Sequence, residues 1–123
     1  MFPAVVKAVI GRVPDCHPAT IQGYRRLEVA GESFPGLVKE DAADVEGLLY
    51  FDLGEDEWER LTAFEDEFYD LEEVSVFGVY GTVRALAYVV PPAHKAVLSD
   101  KAWDPEYFRE NHLIRFSRSR AVD

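Results

Sequence analysis

In the run Leu61, Thr62, Ala63, Phe64, Glu65, Asp66, Glu67, Phe68, Tyr69, a carboxylate borders an apolar helical stripe and a phenol follows four residues later. A carboxylate held against apolar surface binds its proton more tightly, which suits a general base working near neutral pH. Glu65 lies seven residues after Trp58 and four after Leu61, so a helix places it beside the apolar face and not opposite it. Asp66 and Glu67 share that position less well, and either one replaces Glu65 if the helix ends early. Composition alone offers the plainer alternative of a solvated acidic face, because Glu57, Glu59, Asp66, Glu67, Asp70, Glu72 and Glu73 crowd the same region. Tyr69, read without context, is an ordinary strand aromatic.

Other chemistries find less support. His17, His94 and His112 are far apart and no carboxylate stands at metal-ligand spacing, so neither a metal nor another cofactor is called for. Cys16, the single cysteine, excludes an internal disulfide and reads as a free thiol. Arg25 and Arg26 suit a substrate carboxylate. Adjacent positions of a strand face opposite ways, so at most one of the two points inward.

These residues must be held by a small set of elements. Pro3 opens a short apolar helix that runs to Ile10 and stops at Gly11. After a loop containing Pro14 and Pro18, Ala19 to Val29 reads as a strand interrupted at Gly23. Phe34 to Lys39 reads as a short extended piece and Asp44 to Asp52 as a further strand. Trp58, Leu61, Phe64 and Phe68 mark one face of a helix from Glu55 to Glu67, with Glu55, Asp56 and Glu57 complementing its dipole. Tyr69 to Phe77 and Thr82 to Val90 form a hairpin turning near Gly78 to Gly81, and Pro91 and Pro92 end it. Asp104 caps a final helix whose first residue is Pro105 and whose packing face is Tyr107, Phe108, Leu113, Ile114 and Phe116. The order predicts an α+β domain around a small, curved, mixed sheet.

The chain has 123 residues, 48% hydrophobic and 13% aromatic, enough for one core and a single domain over 1–123. Thirteen basic against 23 acidic residues give a net charge of −10, which repels phosphate backbones and anionic bilayers, so nucleic acid and membrane are excluded as partners. No run approaches the roughly 20 apolar residues that span a bilayer, and the first residues lack the features of a signal peptide. The cytoplasm is the expected compartment.

Taken in order, Gly23-Tyr24-Arg25-Arg26, Phe34-Pro35-Gly36, Val45-Glu46-Gly47-Leu48-Leu49, Leu61 to Tyr69, and Trp103-Asp104-Pro105-Glu106-Tyr107-Phe108 with His112 one turn later resemble the gamma-glutamylcyclotransferase-like superfamily, in its avirulence-induced-gene branch. The resemblance covers nearly the whole chain. It implies a small mixed β-barrel flanked by helices and the formation of 5-oxoproline from a small γ-glutamyl amine or peptide. By the family pattern Glu65 is the catalytic acid and base, and Tyr69, Tyr24 and Arg25 are substrate-binding. In such a cyclisation the substrate's own α-amine attacks its side-chain amide carbonyl. One carboxylate can take the proton from the ammonium and give one to the departing amine, and holding the substrate folded supplies much of the remaining acceleration.

The family pattern also opens with a strand and a Tyr-Gly-Ser/Thr-Leu turn whose amides hold the substrate. This chain as written opens on the helix that follows, at Phe2-Pro3-Ala4-Val5-Val6. Tyr80-Gly81-Thr82 spells the same motif, but a strand pattern follows it, so it reads as a hairpin turn. A barrel without its first strand exposes backbone edges, which predicts association between copies of the chain. It also keeps a second function class open, a non-catalytic member acting as a binding or interaction module.

Overall fold

Pro3 and Gly11 bound the first element as the sequence predicts. In the computed structural model, which describes residues 1–79 and 81–111, α1 spans Pro3–Ile10, with Pro at the first position and Gly11 in the left-handed conformation (φ 86°) closing the end onto Lys7. β1 is Cys16–Val29, β2 Pro35–Tyr50, α2 Glu55–Phe64, β3 Asp70–Gly78 and β4 Gly81–Val89. A 3-10 turn, Pro92–Val97, leads to β5, Leu98–Ala102, and then to α3, Pro105–Asn111. The predicted packing residues Leu113, Ile114 and Phe116, together with His112, lie outside the described residues.

The chain divides into two compact units that alternate along the sequence. One contains Met1–Cys16, Tyr50–Asp66 and the segment from Asp104 onward. Its core joins the three helices: Val5, Val6 and Ile10 of α1, Leu61 of α2 and Phe108 of α3 are all buried. Phe2 stacks on Phe108 with ring centroids 5.6 Å apart, and the Arg109 guanidinium lies 5.3 Å from the Phe2 ring centre. The Asp104 carboxylate accepts from the Glu106 and Tyr107 amides, which makes it the predicted helix cap.

The other unit, His17–Leu49 and Glu67–Trp103, carries the sheet. The strand order is β2-β1-β3-β4, and β5 also pairs with β1. One edge of β1 is thus shared: Ala19–Ile21 pair with β3, while Leu27 and Val29 pair with β5. Gly23 (φ 83°) divides the two stretches, and a bulge between Leu27 and Val29 adds bend. The β1–β3, β1–β5 and β3–β4 pairings are antiparallel. The five-residue link from β1 to β2 permits nothing else for that neighbouring pair. The buried apolar residues here, Ile21, Val29, Val38, Val74, Val89 and Val90, are all β-branched, as suits a packed pleated surface.

The α+β class stands, but two expectations about the sheet are corrected. It is antiparallel and not mixed, and it is curved without closing into a barrel. The Val90 amide donates to the Leu37 carbonyl at 2.8 Å, bringing the residue after β4 against β2. Pro91 and Pro92 follow at once and have no amide to extend that ladder. The two extended pieces predicted at Phe34–Lys39 and Asp44–Asp52 are one continuous strand, β2, and β5 was not foreseen. Among the described residues no helix is long and apolar enough to cross a membrane.

Candidate functional site

The helix predicted to run to Glu67 ends at Phe64. Three consecutive acids, Glu65 to Glu67, would stand where the helix dipole is negative, and the chain leaves the helix there. Glu65 is the cap: its amide still donates to the Leu61 carbonyl at 3.2 Å, while its own backbone (φ −76°, ψ 147°) is already extended. Its side chain is half-buried, as is that of Asp66, whereas Glu67 is exposed. The partial cover expected from helical phase comes instead from the helix end. Phe68 is not part of the helical stripe; its ring sits 4.6 Å from that of Tyr69.

The other end of α2 is anchored by a carboxylate. Glu57 accepts from the Gly54 amide at 2.9 Å and from Arg12 through Nε and Nη2, both at 2.6 Å. The Arg12 hydrogen bond, followed by that of the Gly54 amide, pulls the Glu57 carboxyl down to about 2. The same guanidinium donates to the carbonyl of Asp52 at 3.0 Å, a residue held at φ 58°. In the same unit Tyr50 donates to the Met1 carbonyl at 2.8 Å, and burial pushes its phenol well above the usual range.

Tyr69 belongs to the sheet unit, just ahead of β3. Its hydroxyl donates to the carbonyl of Pro35, the first residue of β2. Pro35 is itself held tightly, since the next residue, Gly36, is buried with no room for a side chain.

Tyr24 is half-buried on β1, immediately after Gly23. Arg25 is exposed and lies 3.7 Å from Glu40 of β2. The covered arginine of the pair is Arg26, whose guanidinium lies 4.9 Å from the centre of the Trp103 ring. Strand alternation does separate the two arginines, and the choice between them depends on β5, which delivers Trp103. Gly78 pairs with Gly81, closing the hairpin where the Tyr80-Gly81-Thr82 motif falls; Gly81 and Thr82 are in β4, and Tyr80 lies outside the described residues. No group of three or more His, Cys, Asp or Glu side chains among the described residues is gathered to hold a metal ion.

Comparison with known proteins gives the site its context. The family model for gamma-glutamyl cyclotransferase, AIG2-like, matches residues 1–105. The chain is 31% identical over 72 residues to AIG2-like protein D of Arabidopsis thaliana and 32% identical over 74 residues to AIG2-like protein C. Those alignments cover 58% and 60% of this chain but only 47% and 43% of the relatives, so the chain spans less than half their length. AIG2-like protein B is 26% identical over 118 residues, 93% of this chain and 67% of its own. A protein of the same plant, solved in solution, superposes with a TM-score of 0.71 at 25% identity, covering 97% of this chain and 73% of that one.

Proposed function

Because the chain belongs to the gamma-glutamyl cyclotransferase, AIG2-like family, we propose that it cyclises a small γ-glutamyl amine or peptide to 5-oxoproline and releases the amine, with Glu65 as acid and base. Glu65 takes a proton from the substrate's α-ammonium. The freed nitrogen adds to the γ-carbonyl carbon, and the tetrahedral centre collapses as the bond to the leaving nitrogen breaks. That nitrogen receives the proton Glu65 has held, and the ring nitrogen gives up its surplus proton through the same carboxylate to the departing amine, which leaves as an ammonium, so the carboxylate ends as it began. Tyr69, whose hydroxyl donates to the Pro35 carbonyl, is the residue this reading assigns to substrate positioning. Intramolecular attack asks mainly for orientation, so positioning groups count for much of the rate.

One observation carries the proposal: within the segment that matches the family, Glu65 is a half-buried carboxylate fixed at the end of α2. Its test is 5-oxoproline release from γ-glutamyl substrates by wild type, Glu65→Gln and Asp66→Asn. Loss of a general acid and base lowers turnover by about 10²–10⁴-fold, so Glu65→Gln should be nearly inert and Asp66→Asn close to wild type. Unchanged turnover in Glu65→Gln overturns the assignment.

A further inference from the structure

Four arginines form ion pairs among the described residues: Arg12 with Glu57, Arg25 with Glu40, Arg84 with Glu73 and Arg109 with Glu106. All four are exposed. Arg26 is half-buried, and no carboxylate of the described residues stands within ion-pair distance of it. Burial lowers its proton affinity, and no neighbouring acid acts in the other direction. Arg26 is the one half-buried Lys or Arg among the described residues, and it stands without an anion in a chain with 23 acidic and 13 basic residues. A charge withdrawn from water without a partner is costly.

The surroundings of Arg26 make this an ordered arrangement. The Trp103 amide donates to the Arg26 carbonyl at 3.2 Å, and the Trp103 indole Nε1–H donates to the Ser33 carbonyl at 2.9 Å. The ring is therefore held at both ends, with the guanidinium 4.9 Å from its centre. A guanidinium against an aromatic ring gains from the ring's negative face, while its N–H fork stays matched to the two oxygens of a carboxylate. All of these residues belong to the sheet unit.

We propose that Arg26, backed by Trp103, binds the carboxylate of a small amino-acid-like ligand. The choice of a γ-glutamyl compound or its cyclised product as that ligand rests on the function proposed above; the carboxylate site does not need Glu65. Arg84 of β4, exposed and paired with Glu73, serves as the control.

The test uses 5-oxoproline, which carries one carboxylate, and 5-oxoprolinamide, which carries none. Each is titrated into the full chain while the indole N–H resonance of Trp103 is followed, with that of Trp58 as internal reference. 5-Oxoproline should shift Trp103 saturably and the amide should not. Arg26→Met keeps an apolar stem against the ring and should weaken 5-oxoproline binding about tenfold or more, the usual effect of losing a charge-assisted hydrogen bond; Arg84→Ala should leave it unchanged. If Arg26→Met does not fold, the acid and amide comparison on wild type decides the matter. Equal binding of acid and amide, no saturable Trp103 shift, or undiminished binding in folded Arg26→Met overturns the proposal. Binding through Arg26 without any 5-oxoproline formation retains the site and removes the cyclisation. Cyclisation that depends on Glu65 but is indifferent to Arg26 does the reverse.

Discussion

Gly36→Ala adds one methyl group where the sheet unit has no room for it. A β-carbon there would stand 2.6 Å from Leu98 Cδ2 and 2.8 Å from Val90 Cγ2, both inside van der Waals contact. Gly36 is not in the left-handed region, so the cost is one of space and not of backbone strain. Leu98 is half-exposed and can turn away. Val90 is 2% exposed and stiff at χ1, so it has nowhere to go. Overpacking of this kind costs about 1–3 kcal/mol, offset by about 0.4–1 kcal/mol from the lost freedom of glycine in the unfolded chain. A net loss of about 1–2 kcal/mol lowers Tm by roughly 4–8 °C in a chain this size. Gly47→Ala, on the same strand but with nothing within 4 Å of its added carbon, should be neutral or slightly stabilising. Thermal and urea unfolding of both variants gives the comparison. In a double-mutant cycle, Val90→Ala should cost less in the Gly36→Ala background than in wild type, because it removes the clashing methyl. A Gly36→Ala protein as stable as wild type, or strict additivity in the cycle, refutes the reasoning.

Two further outcomes follow from single contacts. The Glu57 carboxyl is held near 2 by Arg12 and the Gly54 amide, against about 4.3 in an unfolded chain. Its stabilisation is complete above the unfolded value and disappears as pH falls from there toward 2. Urea midpoints should therefore decline less steeply between those limits in Glu57→Gln than in wild type; identical slopes refute the linkage. Tyr69→Phe removes the hydroxyl that donates to Pro35. It should cost about 0.5–1.5 kcal/mol in urea unfolding and lower 5-oxoproline release with it, whereas unchanged turnover would remove Tyr69 from substrate positioning.

The helix ends were legible because local chemistry sets them. Pro3 and Gly11, and Asp104 followed by Pro105, satisfy or omit terminal backbone groups whatever the rest of the chain does. What tertiary pairing decides was not legible. Leu98-Ser99-Asp100-Lys101-Ala102 has no alternation and little β propensity; it is a strand because β1 offers an edge to it. The polar stretch around Glu40 to Asp44 likewise reads as a gap, yet it continues β2 beside β1, with Arg25 and Glu40 facing across the pair. Periodicity carried α2 too far, since Phe68 falls in helical phase with Phe64 although the chain has already left the helix. At the candidate site, helical phase and resemblance single out Glu65, and resemblance Tyr69, against a composition that favours a solvated acidic face. Trp103 drew notice as a family residue, and its place over Arg26 depended on the unseen strand.

β5 gives that pairing an abrupt tolerance to changes in chain length. Leu27 faces Ala102 and Val29 faces Leu98, so between these pairs one residue of β1 stands against three of β5, and the slack is taken up before Ala102. Length variation between the prolines and Leu98 is absorbed on that side and leaves Trp103 in phase. One residue gained or lost between Ala102 and Trp103 has no such buffer, because side chains alternate faces along a strand. It would carry the indole to the opposite side of the sheet and strip Arg26 of its ring in one step, an all-or-none change written in spacing and not in the identity of either residue.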